Sequence, residues 1–357
     1  MKALTLIAPS QFAYAEAPEP EVGANDVLIR VAACGICGSD VHGMNGSSGR
    51  RIPPIIMGHE TAGVIEKVGA EVEGWAPGDR VTVDSTVFCG ECPACLSGRV
   101  NLCPGRRVLG VSCGEYRRHG AFAELLSVSA RILYRLPEGL GFEEACFVEP
   151  VAVALHAVGR IPVKEGDTAV VVGAGIIGLL VMQALRVAGA SRVIAVDLDE
   201  GRLALARELG AEEALLSDAD AVVRRVGELT GGKGADVVME VVGIAPTVGL
   251  AVRCARLGGS VGLVGNLAPQ VDLPLQAVVT REITLYGSCS SAGEYDDALR
   301  YIAEGAIKVM PLVSQVAALG EGAAWFQKLA KGDEGLVKVI LRPPGAPPAP
   351  SGNPPPV

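Results

Sequence analysis

Between residues 168 and 287 the chain carries short runs, "TAVVVG", "RVIAVD", "EALL", "ADVVMEVVG", "GSVGLVG" and "ITLYG", that are apolar at odd and even positions alike. Helix-like segments such as "IIGLLVMQALRVAG" and "EGRLALARELG" separate most of them. A run without alternation is buried on both faces, and strands alternating with helices predict a parallel sheet covered on each side. The expected class is α/β, with a doubly wound parallel sheet in this part of the chain.

The first 150 residues read differently. "DVLIRVAA", "AGVIEKVG" and "GDRVTVD" are β-branched runs set between glycines and turn signals, which predicts an irregular β-rich domain. From residue 294 a helical "EYDDALRYIAEG" and a second, "EGAAWFQKLAKG", lead to a strand-like "GLVKVIL". The expected layout is a β-rich catalytic domain over 1–152, the parallel-sheet domain over 153–290, and a return to the first domain over 291–341. A Pro-rich tail follows over 342–357. The tail, "RPPGAPPAPSGNPPPV", cannot make a helix or a central strand and lacks the paired basic PxxP pattern of a recognition ligand.

A chain of 357 residues with 49% hydrophobic and 20% charged residues is sized for about two well-buried domains. The opening "MKALTLIAPS" has too short an apolar run for a signal peptide, and no segment reaches the roughly 18 apolar residues of a membrane helix. The expected compartment is the cytoplasm, with no membrane partner. Thiols stay reduced there, so the ten cysteines read as metal ligands, catalytic groups and small buried residues. A net charge of -9 without a basic block argues against nucleic acid.

"VVVGAGIIGLL" follows a strand pattern and opens a helix pattern, with Gly173, Gly175 and Gly178 at G-x-G-x-x-G spacing. The first glycine permits a tight turn, the second a close approach of backbone to a pyrophosphate, and the third close helix–strand packing. Ile177 lies inside this turn and is counted with the cofactor-contacting residues. Asp197 ends the next strand about 20 residues on, where a carboxylate accepts the adenosine ribose hydroxyls. Its charge opposes a 2′-phosphate, so NAD is expected rather than NADP. Arg202 is the one nearby cation; a solvated helix face is the preferred reading for it, and it is kept among the cofactor candidates. "TGGKGAD" lacks the Ser or Thr of a phosphate loop and reads as a surface turn.

"CGECPACLSGRVNLC" sets Cys89, Cys92, Cys95 and Cys103 at C-x2-C-x2-C-x7-C. Four thiolates on one short loop close a tetrahedral shell and leave no position for a substrate, which reads as a structural zinc site. A catalytic zinc needs an open shell of mixed ligands. The chain offers "GHE" at residues 58–60, "ACGICGSDVH" upstream and "VEPVAVALH" downstream. By spacing alone Cys34 and Cys37 could be a redox pair, half a zinc knuckle, or a pair in which one sulfur matters.

Together with the four-cysteine loop, these segments resemble the zinc-dependent medium-chain dehydrogenases, and most closely their polyol branch, of which sorbitol dehydrogenase is typical. The resemblance runs from about residue 25 to 340. It implies a GroES-like catalytic domain beside a Rossmann NAD domain, two zincs per chain, and oxidation of a secondary alcohol of a polyol to a ketone with hydride transfer to NAD. Cys37, His59, Glu60 and Glu149 match the catalytic zinc set, and Cys34 matches no ligand position. Ser39 is implied to meet the substrate hydroxyl or its zinc-bound water, Asp40 to orient a ligand, and His42 to be either a proton relay or a partly buried structural histidine. His119 and His156 have no assigned role, and Cys113, Cys146, Cys254 and Cys289 read as packing residues. A threonine or butanediol dehydrogenase would share these motifs. A non-catalytic zinc-loop protein is the rival of another class, disfavoured because it needs no open metal set. The implied partners are a small alcohol substrate and copies of the same chain, as a homodimer or homo-tetramer.

Overall fold

All residues of the strand Thr168–Val172 are buried, as the unbroken apolar run requires of a strand covered on both faces. It lies inside a six-stranded sheet whose order is Glu213–Leu216, Arg192–Asp197, Thr168–Val172, Ala235–Glu240, Ala255–Leu263 and Thr284–Gly287. Every neighbouring pair is parallel. The helices Ile176–Val187, Glu200–Glu208, Ala219–Leu229 and Ala245–Cys254 connect them. Asp199 and Asp218 start two of these helices by accepting the backbone N–H of Arg202 and Ala221. The strand order reverses between Thr168–Val172 and Ala235–Glu240, and a doubly wound sheet binds its ligand at the carboxyl ends of the strands flanking such a reversal. "TGGKGAD" is a turn leading into the strand Ala235–Glu240, with positive φ at Gly231, Gly232 and Gly234.

The computed structural model describes residues 1–113, 116–332 and 335–348. The chain divides into two compact units. One comprises Met1–Glu149, Tyr295–Ala303 and Leu312–Val357, the other Pro150–Glu294 and Glu304–Pro311. The passage out of the first unit thus falls after Glu149 rather than 152, and the return begins at Tyr295 rather than 291. Glu304–Pro311 goes back to the sheet unit, which the expected 291–341 return does not include. The buried Gln183 explains this, because its amide accepts the Lys308 N–H at 2.8 Å and donates to the Lys308 carbonyl at 3.1 Å. Ile307 and Val309 are buried alongside.

The first unit is built on a sheet of order Leu133–Arg135, Arg80–Val83, Glu60–Val68, Asp26–Gly35, Lys338–Arg342 and Val313–Ala318, with Leu125–Ser129 also paired to Asp26–Gly35. The late strand Lys338–Arg342 enters beside Asp26–Gly35, pairing Leu341 with Cys34 and Ile340 with Gly35. On the other side Gly35 faces Glu60. Its core gathers Leu4, Val27, Ile29, Ile65, Phe122 and Phe326, with the last two rings meeting edge to face at 5.7 Å. His119 is exposed at the edge of this unit, its Nδ1 accepting the Ile56 N–H at 3.1 Å, and partial burial of its ring lowers its pKa. Of the Pro-rich tail, Pro347 still accepts a hydrogen bond from Arg342 at 3.2 Å, while residues 349–357 lie outside the described residues. Among the described residues no helix is long and apolar enough to cross a membrane.

Candidate metal centres and dinucleotide site

The C-x-x-C pair is divided by secondary structure. Cys34 is fully buried inside the strand Asp26–Gly35, and burial drives its thiol pKa well up. Cys37 lies past the strand end and caps the helix Gly38–Gly43. Both the N–H and the hydroxyl of Ser39 donate to its sulfur, at 3.5 and 3.3 Å. His59 and Glu60 arrive on the turn into Glu60–Val68. Gly58 permits that turn: its φ is +97°, and a Cβ there would lie 2.8 Å from Cys34 Sγ and 3.0 Å from the Phe122 ring.

One ligand atom each from Cys37, His59 and Glu60 fall within 4.8 Å of one another. Cys37 is half-buried, and His59 and Glu60 are buried. His59 Nδ1 faces Asp40 Oδ2 at 3.5 Å, and neither atom has a hydrogen-bond partner among the described residues. Burial alone would lower the His59 pKa, but the charges of Asp40 and Cys37 hold it at about 10. A metal here must displace a proton from the ring, as is usual for imidazole ligands. Thiolate, imidazole and carboxylate together are a donor set that suits zinc.

Glu149 stands outside this trio, in the first turn of the helix Val148–Gly159. Its Oε1 accepts from Ser85 Oγ at 3.1 Å, and the Ser85 N–H donates to the buried Tyr295 hydroxyl at 3.2 Å. Burial raises the Glu149 pKa, against the pull of His59. His42 is exposed in the last turn of the helix Gly38–Gly43, not partly buried. His156 pairs with Glu294 at 2.6 Å.

The remaining centre is sulfur alone. Cys89 lies 3.8 Å from Cys95 and 3.6 Å from Cys103, and Cys92 lies 3.5 Å from Cys95. A zinc with four Zn–S bonds of roughly 2.3 Å has sulfurs about 3.8 Å apart, so this cage is already the right size. The backbone N–H groups of Glu91 and Cys92 pull the Cys89 pKa down to about 6, favouring the thiolate a metal needs.

In the sheet unit, Gly175 caps the helix Ile176–Val187, and a Cβ on Gly178 would run into the Gly173 carbonyl oxygen. Ile177 lies half-buried on the first turn of this helix. Asp197 Oδ2 accepts the Ala174 N–H at 2.6 Å, tying the next strand to the glycine turn. Arg202 Nη1 lies 3.7 Å from Asp197 Oδ1 on an exposed helix face. Across the strand reversal, Glu240 Oε1 accepts the N–H groups of Val242 and Gly243 and the Thr247 hydroxyl at 2.7–3.0 Å.

Lys338, Arg51 and Ser85 also contact the groups of this site, and no motif in the sequence singles out Arg51 or Ser85. Lys338 had a signal, a lysine within the apolar run "VKVIL". Its Nζ donates to Glu60 Oε2 at 2.5 Å and to the Ile36 carbonyl at 3.2 Å. The buried Arg51 grips Asp40.

Residues 23–138 match the alcohol dehydrogenase GroES-like domain, and residues 177–304 match the zinc-binding dehydrogenase family. The chain is 34% identical over 340 residues, covering 95% of it and 98% of the relative, to an uncharacterized zinc-type alcohol dehydrogenase-like protein of Haemophilus influenzae. It is 32% identical over 348 residues to the sorbitol dehydrogenase of Bacillus subtilis, covering 96% and 97% of the two chains. The crystal structure of a zinc-binding dehydrogenase from Sinorhizobium meliloti bound to NADP superposes with a TM-score of 0.89 at 34% identity, covering 96% and 99%. With a doubly wound sheet, a glycine turn and two sets of side chains that could hold a metal ion, the chain belongs to the zinc-binding alcohol dehydrogenases. It is an oxidoreductase of that family rather than a non-catalytic zinc-loop protein.

Proposed function

We propose that this enzyme oxidises a secondary alcohol of a polyol or sugar-alcohol-like substrate to the ketone, with NAD as hydride acceptor. The observation that carries the reading is the mixed trio of Cys37, His59 and Glu60 within 4.8 Å, set apart from a separate four-sulfur cage. Cys37, His59 and Glu60 would hold the catalytic zinc, with Glu149 a direct or water-bridged fourth ligand. Cys89, Cys92, Cys95 and Cys103 would hold a second, structural zinc. When bound, the metal supplies the positive charge that acidifies an alcohol, and the dinucleotide supplies the hydride acceptor.

The residues' part is to hold, orient and accept. Ser39, whose hydroxyl donates to the Cys37 sulfur, would meet the substrate hydroxyl or a water on the metal. Lys338 balances the buried carboxylate of Glu60. Gly173, Gly175, Ile177 and Gly178 cradle the pyrophosphate, and Asp197 accepts the ribose hydroxyls, which favours NAD over NADP. Glu149 brings a carboxylate near the metal and suits a substrate with adjacent hydroxyls, consistent with the likeness to sorbitol dehydrogenase.

A homodimer or homo-tetramer belongs to the same proposal. The strand Thr284–Gly287 is an open sheet edge, and the helix Leu275–Thr280 exposes Leu275 at 62% and Val279 at 64%. The cytoplasm is the proposed compartment, because ten free cysteines suit a reducing medium. The experiment is NADH absorbance on a panel of sorbitol, other polyols, threonine, butanediol and ethanol, with and without chelator. Chelator-sensitive turnover that prefers a polyol is expected; preference for ethanol over every polyol rejects the substrate class.

A further inference from the structure

Arg51 is a buried cation at the metal site for which the proposed chemistry names no task. Its side chain is 5% exposed and grips Asp40 Oδ1 with two nitrogens, Nη2 at 2.6 Å and Nε at 3.0 Å. Nη2 also donates to Ser39 Oγ at 3.4 Å, and Nη1 to the Arg50 carbonyl at 3.0 Å. The stem fits because residue 43 is glycine; a Cβ there would lie 2.7 Å from Arg51 Cγ.

Each side chain that Arg51 touches leads on to a proposed ligand. Asp40 Oδ2, the oxygen that Arg51 leaves open, faces His59 Nδ1 at 3.5 Å. Ser39 Oγ donates to Cys37 Sγ at 3.3 Å. One guanidinium therefore stands behind both the imidazole and the thiolate. An imidazole offers a metal one nitrogen only when its proton sits on the other, and a carboxylate facing that second nitrogen keeps the proton there. Asp40 is wholly buried, and a buried carboxylate keeps its charge only beside a counter-ion. Arginine is always protonated, and its rigid fork fixes the direction in which the carboxylate points.

We propose that Arg51 is a positioning residue for the metal centre, acting through Asp40 on His59 and through Ser39 on Cys37. The inference rests on the metal reading of Cys37, His59 and Glu60 and adds the residue that holds two of those ligands in place. Lysine at this position supplies the charge without the two-pronged grip.

The test follows zinc release from the zinc-loaded full chain to a chelating dye, in wild type, Arg51→Met, Arg51→Lys, Asp40→Asn and the Arg51→Met/Asp40→Asn pair. The four-sulfur centre in the same chain is the internal reference for folding. Arg51→Met is expected to weaken the Cys37 centre about 10–100-fold, the usual effect of removing a residue behind a ligand. Arg51→Lys should weaken it less, the four-sulfur zinc should be unchanged, and the double variant should fall well short of the product of the two singles. Wild-type retention of zinc in Arg51→Met, equal loss from both centres, or fully multiplicative effects each overturn the inference. A wild type that binds a single zinc overturns the metal reading instead.

Discussion

Lys338 Nζ stands 2.5 Å from Glu60 Oε2, with the two side chains 2% and 1% exposed. Burial works against the lysine charge, but Glu60 and Cys37 outweigh it and raise the Lys338 pKa. Arg51, paired with Asp40, is a second buried cation beside the trio. Breaking a buried pair from one side leaves an uncompensated charge, which costs about 3–5 kcal/mol. Lys338→Met is expected to lose that much stability in urea unfolding, and Lys338→Met with Glu60→Gln to lose less than the sum of the singles. A single variant within 1 kcal/mol of wild type, roughly the worth of a surface pair, would contradict the burial argument.

The two proposed metal centres predict two different phenotypes. Cys37→Ala or His59→Ala should abolish turnover, remove one of two zincs by metal analysis, and leave NADH binding and the unfolding midpoint near wild type. Cys92→Ser should also remove one zinc but lower the midpoint or the solubility, because a closed cage supports the fold of its own loop. Turnover surviving in Cys37→Ala would place the chemistry elsewhere.

Asp197→Ala should weaken NAD binding by about 1–3 kcal/mol, the cost of losing a charged hydrogen-bond acceptor. It should also narrow the preference for NAD over NADP. Part of the effect comes from the glycine turn itself, which loses the Ala174 N–H contact at 2.6 Å. Fluorescence titration with both reduced cofactors measures it, and a wild type that prefers NADP rejects the ribose assignment.

Glu149→Gln should cut turnover ten-fold or more, within the roughly 10 to 100-fold range for groups beside a metal. Ser85→Ala removes the 3.1 Å bond that holds Glu149 Oε1 and should give a smaller loss of the same kind. Steady-state rates on the preferred polyol check both; a nearly unchanged rate in Glu149→Gln removes this residue from the mechanism.

Local chemistry settled a good deal from the sequence alone. The doubly covered strands were legible because "TAVVV" and "RVIAVD" leave no polar face for water. Gly173, Gly175 and Gly178 were legible as a spaced motif, in which Gly173 takes a φ of +101° that favours glycine and a Cβ on Gly178 would meet the Gly173 carbonyl oxygen. The clustering of the cysteines at 89, 92, 95 and 103 was legible because all four lie on one short loop, so spacing in sequence is spacing in space. Glu60, Lys338, Asp40 and Arg51 belong to the other kind. The strand holding Lys338 reaches Glu60 only because Lys338–Arg342 inserts beside Asp26–Gly35, a pairing between the chain's two ends that no local pattern encodes. Glu149 likewise takes its place from Ser85, far away in sequence. Likewise Glu304–Pro311 returns to the sheet unit through one buried glutamine that no sequence period marks. Secondary structure and single-loop sites follow from short-range sterics and patterning; which buried charges meet is decided by sheet order, and that is a property of the assembled fold.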